Sequence, residues 1–295
     1  MKFITIFFLI FCQFPFIQNC DAQINLSQSL DNNTLLWEIS GNELKKTSYL
    51  FGTFHLLCKE DIAFSENLKT ALSNVSDVYL EINYNDIKQL SKNRSLYKMK
   101  STTLYDLYSK DDLQKIRVFF KDSLNMSLSI FKTIKPLLIE SIIFRGLLPC
   151  NNITSVDNEI IVLAKSMNKE IKGFENIGFQ FAIYDSIPYK LQAKSLLNCI
   201  ENIEISKFFF RSGLNIYLNQ EIDKLEQLSN NKSNILSSYD DLILKNRNID
   251  WVKQLKIILK TTNIFMAVGA AHLFGKNGLI EMLRCEGYSL RAIEN

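Results

Sequence analysis

Both histidines of this 295-residue chain stand in the same local frame, Gly52-x-x-His55 and Gly269-x-x-His272, and each frame closes an apolar run. With ten glycines in the chain, a chance repeat at both histidines has odds of roughly one in a thousand. Short apolar runs bounded by glycine read as buried strands, and glycine lets the backbone turn sharply where each strand ends. Strand ends at the edge of an α/β sheet are where such folds bind ligands. The pair therefore predicts two strands that deliver two imidazoles, far apart in sequence, to one place where they can share a metal ion.

The rest of the pattern supplies a sheet for these strands. Residues 35–39 and 47–51, separated by a turn at 41–44, predict a hairpin. Leu68, Ala71 and Leu72 fall at helical spacing within 65–74, and 77–82 reads as a buried strand with Glu81 near its end. Strand, helix, strand predicts a βαβ unit in which 77–82 neighbours the strand leading to His55. Helical periodicity covers 86–148. Residues 157–167 form a helix capped by Thr154 or Ser155, and 169–174 a strand, with Glu175 and a loop after it. A long helical region spans 188–260, broken at 231–238, with Arg247 late in a helix that continues to Trp251. Strand 262–268, helix 279–285 and strand 288–293 close the chain. Four prolines are too few for a repeat of short strands and turns. The expected fold is α/β: a central mixed sheet flanked by helices, with a largely helical insertion or lobe, and 23–295 as a single domain behind a loose polar leader at 23–34.

Met1-Lys2, the apolar run from Phe3 to Phe11 and the small residues at Cys20 and Ala22 read as a signal peptide, residues 1–22. Cleavage near Ala22 would send the protein to the periplasm or outside the cell. Lipidation at Cys20 is the alternative, disfavoured by the Ile-Gln-Asn that precedes it. No later segment is apolar for ~20 residues, so no membrane span is expected in the mature chain. Thirty-four basic against 31 acidic residues, scattered along the chain, carry no nucleic-acid signature. Cys58, Cys150, Cys199 and Cys285 remain after the leader; they allow two disulfides in three connectivities, and the lack of C-x-x-C excludes a zinc ribbon.

A metal held by His55 and His272 needs a third ligand. Glu81 closes an otherwise apolar strand, where a carboxylate is costly unless it pairs or binds a cation. Two histidines and a carboxylate with an open position form a common hydrolytic site, and Mn²⁺, Co²⁺ and Zn²⁺ all accept such ligands. Glu175, Gln180, Asp157, Arg247 and Asn248 are further polar residues in apolar company. The plainer readings are a helix-dipole partner for Asp157 and a solvated face for Arg247.

The chain resembles the TraB/GumN family, in particular its GumN-like exported bacterial members, and the related TIKI metalloproteases. The blocks that carry the resemblance are 51–61 (FGTFHLLCKED), 78–82 (VYLEI), 154–180 (TSVDNEIIVLAKSMNKEIKGFENIGFQ), 247–252 (RNIDWV) and 268–288 (VGAAHLFGKNGLIEMLRCEGY). The resemblance implies a metal-dependent hydrolase or peptidase, acting on a peptide or small-molecule substrate. His55 and His272 fall on the two motif histidines, Glu81 on the acidic strand end, and Arg247 and Asn248 on an Arg-Asn pair. Glu175 falls on the Glu of a Gly-Leu-Glu-Thr-like segment in which Asn176 replaces Thr. In this reading His55, Glu81 and His272 hold a divalent metal. Glu175 is a general base or a partner to a histidine, and Arg247 with Asn248 completes the catalytic group. A non-catalytic binder of a haem-like ligand and an accessory protein of envelope polysaccharide export are the alternatives. Cys58 lies three residues after His55 and Cys150 just before the Asp157 segment, so the two flank the expected site. This predicts a Cys58–Cys150 disulfide, with Cys199 and Cys285 bonded or buried.

Overall fold

The computed structural model of the chain describes residues 33–83, 85–86, 93–229 and 236–295. The expected signal peptide, Cys20 and most of the 231–238 break lie outside them. In chain order the strands are β1 (Leu36–Gly41), β2 (Ser48–Thr53), β3 (Leu57–Cys58), β4 (Asp77–Ile82), β5 (Ile153–Thr154), β6 (Glu170–Glu175), β7 (Ile264–Gly269) and β8 (Tyr288–Ile293). Six of them form one mixed sheet in the order β6-β4-β7-β2-β1-β8. The expected hairpin is β1–β2, antiparallel, with Leu36 opposite Phe51.

The order corrects one expectation: β4 does not adjoin β2. β7 lies between them, parallel to both. Every residue of β2 and of β7 is buried. A strand apolar on both faces belongs at the centre of a sheet covered on both sides. Phe265 and Ala267 face one layer with Phe51, Val78 and Leu80. Ile264, Met266 and Val268 face the other with Trp37, Ile39 and Leu50.

Helices in chain order are α1 (Glu66–Ser73), α2 (Leu104–Leu107), α3 (Lys110–Leu124), α4 (Pro136–Leu147), α5 (Val156–Ser166), α6 (Ile177–Ser186), α7 (Tyr189–Glu201), α8 (Ile203–Leu218), α9 (Ile222–Ser229), α10 (Asn246–Ile258) and α11 (Leu279–Cys285). α1, α5 and α8 cover the first face of the sheet, and α10 and α11 the second. α2, α3, α4 and α7 build a lobe with its own core around Leu104, Phe120, Ile143 and Leu196. Where a loop was expected after Glu175, α6 begins at once. Asn176 caps it: its side chain accepts from Phe179 N at 2.9 Å. Thr and Asn both serve as N-caps, so the Asn-for-Thr exchange at 176 preserves a helix start. Asn176→Ala should therefore cost about 1 kcal/mol, and Asn176→Thr most of that less. Urea denaturation of the two variants checks this; equal losses would refute it.

Thr34, expected in the loose leader, is buried and donates to Ile293 O at 2.6 Å. Cys58 and Cys150 form a disulfide, and Cys58 pairs with Ile153 where β3 meets β5. Cys199 is buried, but Cys285 is exposed and unbonded; as the last residue of α11 it points away from the packed face. Among the described residues no helix is long and apolar enough to cross a membrane.

Candidate functional site

The parallel pairing of β2 with β7 sets Thr53 opposite Gly269. The two Gly-x-x-His frames therefore leave the sheet side by side, and the ends of β4 and β6 open onto the same point. His55 follows β2 by two residues. His272 ends a single 3-10 turn, Ala270–His272. Glu81 is the penultimate residue of β4 and Glu175 the last of β6.

The glycines do not serve the turn expected of them, since neither has a positive φ. They permit close approach. A β-carbon on Gly52 would stand 3.1 Å from Ala270 Cα, the first residue of the turn that carries His272. One on Gly269 would stand 3.2 Å from both Glu81 Oε1 and His55 Nε2. Gly269 thus clears the space into which the candidate ligand atoms point.

Each imidazole is fixed through Nδ1. His55 Nδ1 donates to Asp157 Oδ2 at 2.7 Å, and Asp157 Oδ1 accepts from Thr53 Oγ1 at 2.8 Å. Asp157 is therefore more than a dipole partner at the start of α5. Burial alone would lower the His55 pKa, but Asp157 and then Glu81 outweigh it and hold it up to about 9. For His272, burial and then the Arg247 guanidinium push it down to about 3, so this imidazole is neutral. Arg247 Nη1 lies 3.1 Å from His272 Nε2. A guanidinium can only donate, so Nε2 accepts, and His272 Nδ1 carries the hydrogen toward Asn248 Oδ1 at 2.6 Å. The Asn248 amide nitrogen donates to His272 O and Asn277 O at 3.2 and 2.8 Å.

Arg247 lies in the first turn of α10, not late in a helix; a single π-helical turn, Asp241–Lys245, runs directly into it. It is 3% exposed, so the solvated-face reading fails. Its fork donates to Glu81 Oε2 at 2.6 Å and to Glu175 Oε1 and Oε2 at 2.9 Å each. Burial would lift Glu81, yet Arg247 foremost holds it well below the usual carboxylate range. Glu81 Oε1 also accepts from Gly269 N at 2.8 Å.

Glu175 is saturated. Besides Arg247 it accepts from Trp251 Nε1 at 2.9 Å and from Gln180 Nε2 at 3.1 Å. Four donors on one carboxylate suit an anchor for Arg247 better than a base. Gln180 Nε2 also donates to Glu81 Oε2 at 3.1 Å, and its buried Oε1 has no hydrogen-bond partner among the described residues. Trp251 lies against His272, ring centroids 4.4 Å apart, and under the Arg247 guanidinium at 4.7 Å. Sequence reasoning had noted Gln180 without a role and used Trp251 only as a landmark. The four-residue spacing from Arg247 to Trp251 was the available signal, since i and i+4 share a helix face.

Glu81 Oε1 stands 3.8 Å from His55 Nε2 and 3.8 Å from His272 Nε2. The three donors are of the types that Mn²⁺, Co²⁺ or Zn²⁺ takes. Asp157 and Asn248 each engage Nδ1 and so leave each Nε2 on the inward side, as partners of metal-ligating histidines do. Glu81 and Glu175 face the Arg247 guanidinium and Asp157 faces His55, so even with His55 protonated the centre holds one more carboxylate than it holds positive groups, which suits a cation by charge. By donor type and charge the residues fit a divalent metal; their spacing is wide for bonds of ~2.1 Å. Cys58, Glu60 and Cys150 also bring ligand-type atoms within 4.8 Å of one another, but the two sulfurs are bonded to each other.

A model of the TraB/PrgY/gumN family matches residues 35–292. Neither the curated proteins nor the solved structures contain a match to this chain.

Proposed function

The chain belongs to the TraB/PrgY/gumN family, and from that premise we propose that it is an exported, metal-dependent hydrolase of the peptidase type. The observation that carries the reading is the pair of Nε2 atoms, from His55 and His272, both 3.8 Å from one oxygen of Glu81. His55, Glu81 and His272 would hold the ion. When bound, a divalent ion supplies Lewis acidity and an activated water for hydrolysis of an acyl bond.

The chain's own residues do the positioning. Asp157 and Asn248 orient the imidazoles. Glu175 and Trp251 hold Arg247, which in turn holds Glu81, and Gln180 bridges the two glutamates. The His55 side chain is 17% exposed and that of His272 is 4%, so a peptide or small substrate reaches the centre from the His55 side. Export rests on the signal-peptide pattern at 1–22 and on the disulfide, since disulfides persist in oxidising compartments.

Elemental analysis and chelator competition on the purified protein test this. His55→Ala should weaken metal binding by more than about tenfold, and Glu81→Gln should also weaken it, because a neutral amide is a poorer ligand. His272→Gln is the better change at 272, because alanine would leave a hole against Trp251. Metal stoichiometry that survives loss of both histidines would overturn the reading, as would a Soret band from bound haem.

A further inference from the structure

Arg247 makes a contact that a metal centre could not tolerate. An imidazole nitrogen has a single lone pair, so His272 Nε2 cannot accept from a guanidinium and ligate an ion at the same time. In this structure Nη1 holds that lone pair at 3.1 Å. The wide spacing of the three donors, each Nε2 standing 3.8 Å from Glu81 Oε1, belongs to the same arrangement.

We propose that Arg247 sets the affinity of the centre by guarding His272: the ion enters only by displacing Nη1 from Nε2. This rests on the metal reading above. The displacement is local. Nη1 keeps a second acceptor, Ile243 O at 3.1 Å in the π-helical turn. The guanidinium is a rigid plane, so Nη1 leaves Nε2 only as the whole fork tilts, hinged on the bonds of Nε and Nη2 to Glu175 and Glu81. The cation over Trp251 has no need to leave its stack. Arg247 is thus a positioning residue that keeps Glu81, Glu175 and Ile243 O in both states, and the His272 bond is the one exchanged. Trp251, packed on the other partner of that bond, keeps His272 in place while the exchange occurs.

Arg247→Lys isolates the guard. An ammonium can still face Glu81 and Glu175, but it lacks the planar fork needed to meet both carboxylates and the imidazole together. A residue with a purely structural role would weaken metal binding when changed. The guard predicts the opposite: Co²⁺ binding roughly ten- to a hundredfold tighter in Arg247→Lys than in wild type, the size of a lost hydrogen bond to a charged group. The Co²⁺ absorption band should persist in this variant at ion concentrations where wild type shows none. Arg247→Met combined with Glu175→Gln removes one charge of each sign and serves if Arg247→Lys does not fold; it should also bind more tightly. If wild type binds Co²⁺ through His55 and His272 while both variants bind it equally or more weakly, the guard is overturned and the metal reading stands. If no form binds Co²⁺ in a histidine-dependent manner, both fall.

Discussion

Replacing Cys58 and Cys150 together by serine is expected to destabilise the protein by about 4.6 kcal/mol, the value of the chain-entropy model for a loop of this length. The two cysteines are 92 positions apart in sequence, and the whole of α1 through α4 lies between them. What they tie is also specific. β3 and β5 are two residues each, too short to hold by pairing alone. Beside them Val156 N donates to Phe54 O at 2.9 Å, and Lys59 N to Asn152 O at 2.8 Å. This strip joins the His55 loop to the start of α5, and so His55 to Asp157. Loss of the bridge should therefore loosen the oriented imidazole as well as the fold. Urea denaturation of the oxidised wild type and the variant measures the first effect. Dithiothreitol should bring wild type down to the variant and leave the variant unchanged. A variant with an unaltered midpoint would refute the claim.

The second large effect lies in the helical lobe. Glu140 on α4 is buried, and its hydrogen bond is to the hydroxyl of Ser195 on α7 at 2.5 Å. Burial pushes its pKa up to about 8, against which the Ser195 bond is the smaller influence. The sign of the stability effect follows from proton counting. Between about pH 4.5 and 8 the folded state keeps a proton that the unfolded chain has lost, so stability falls as pH rises through that window. At about 1.4 kcal/mol per pKa unit, the loss is on the order of 4 kcal/mol by pH 8. Glu140→Gln keeps the shape and cannot ionise. It should be more stable than wild type at pH 8 by several kcal/mol and nearly equal to it at pH 4.5. An advantage of the same size at both pH values would mean that repacking, rather than ionisation, is responsible.

What could be read in the sequence was local. The strand 77–82, the helix 279–285 and the strand 288–293 lie where periodicity placed them, because each buries one face in a regular rhythm. The repeated histidine frame placed two imidazoles together, because two parallel neighbours carry it in register. α6 was missed because it has no polar stripe: Phe181, Ile183 and Tyr184 are buried on one side while Phe179 is exposed on another. The position of β7 could not be read, since pairing between strands so distant in sequence leaves no local trace. For the same reason spacing alone leaves Arg247 open between a solvated face and the site, a choice made by Glu81 and Glu175, from two different strands, which meet around it.

The insertion of β7 between β2 and β4 has a consequence for the order in which the molecule can be made. The central strand is made after β1, β2, β4 and β6, and β8, which pairs with β1, follows it. Until both emerge, β2 and β4 share no neighbour, and the earlier strands cannot complete a sheet. The long closures that finish the fold also make it slow to form. Until then the β1–β2 hairpin and the parallel β4–β6 pair are separate pieces, which β7 joins by pairing with β2 on one side and β4 on the other.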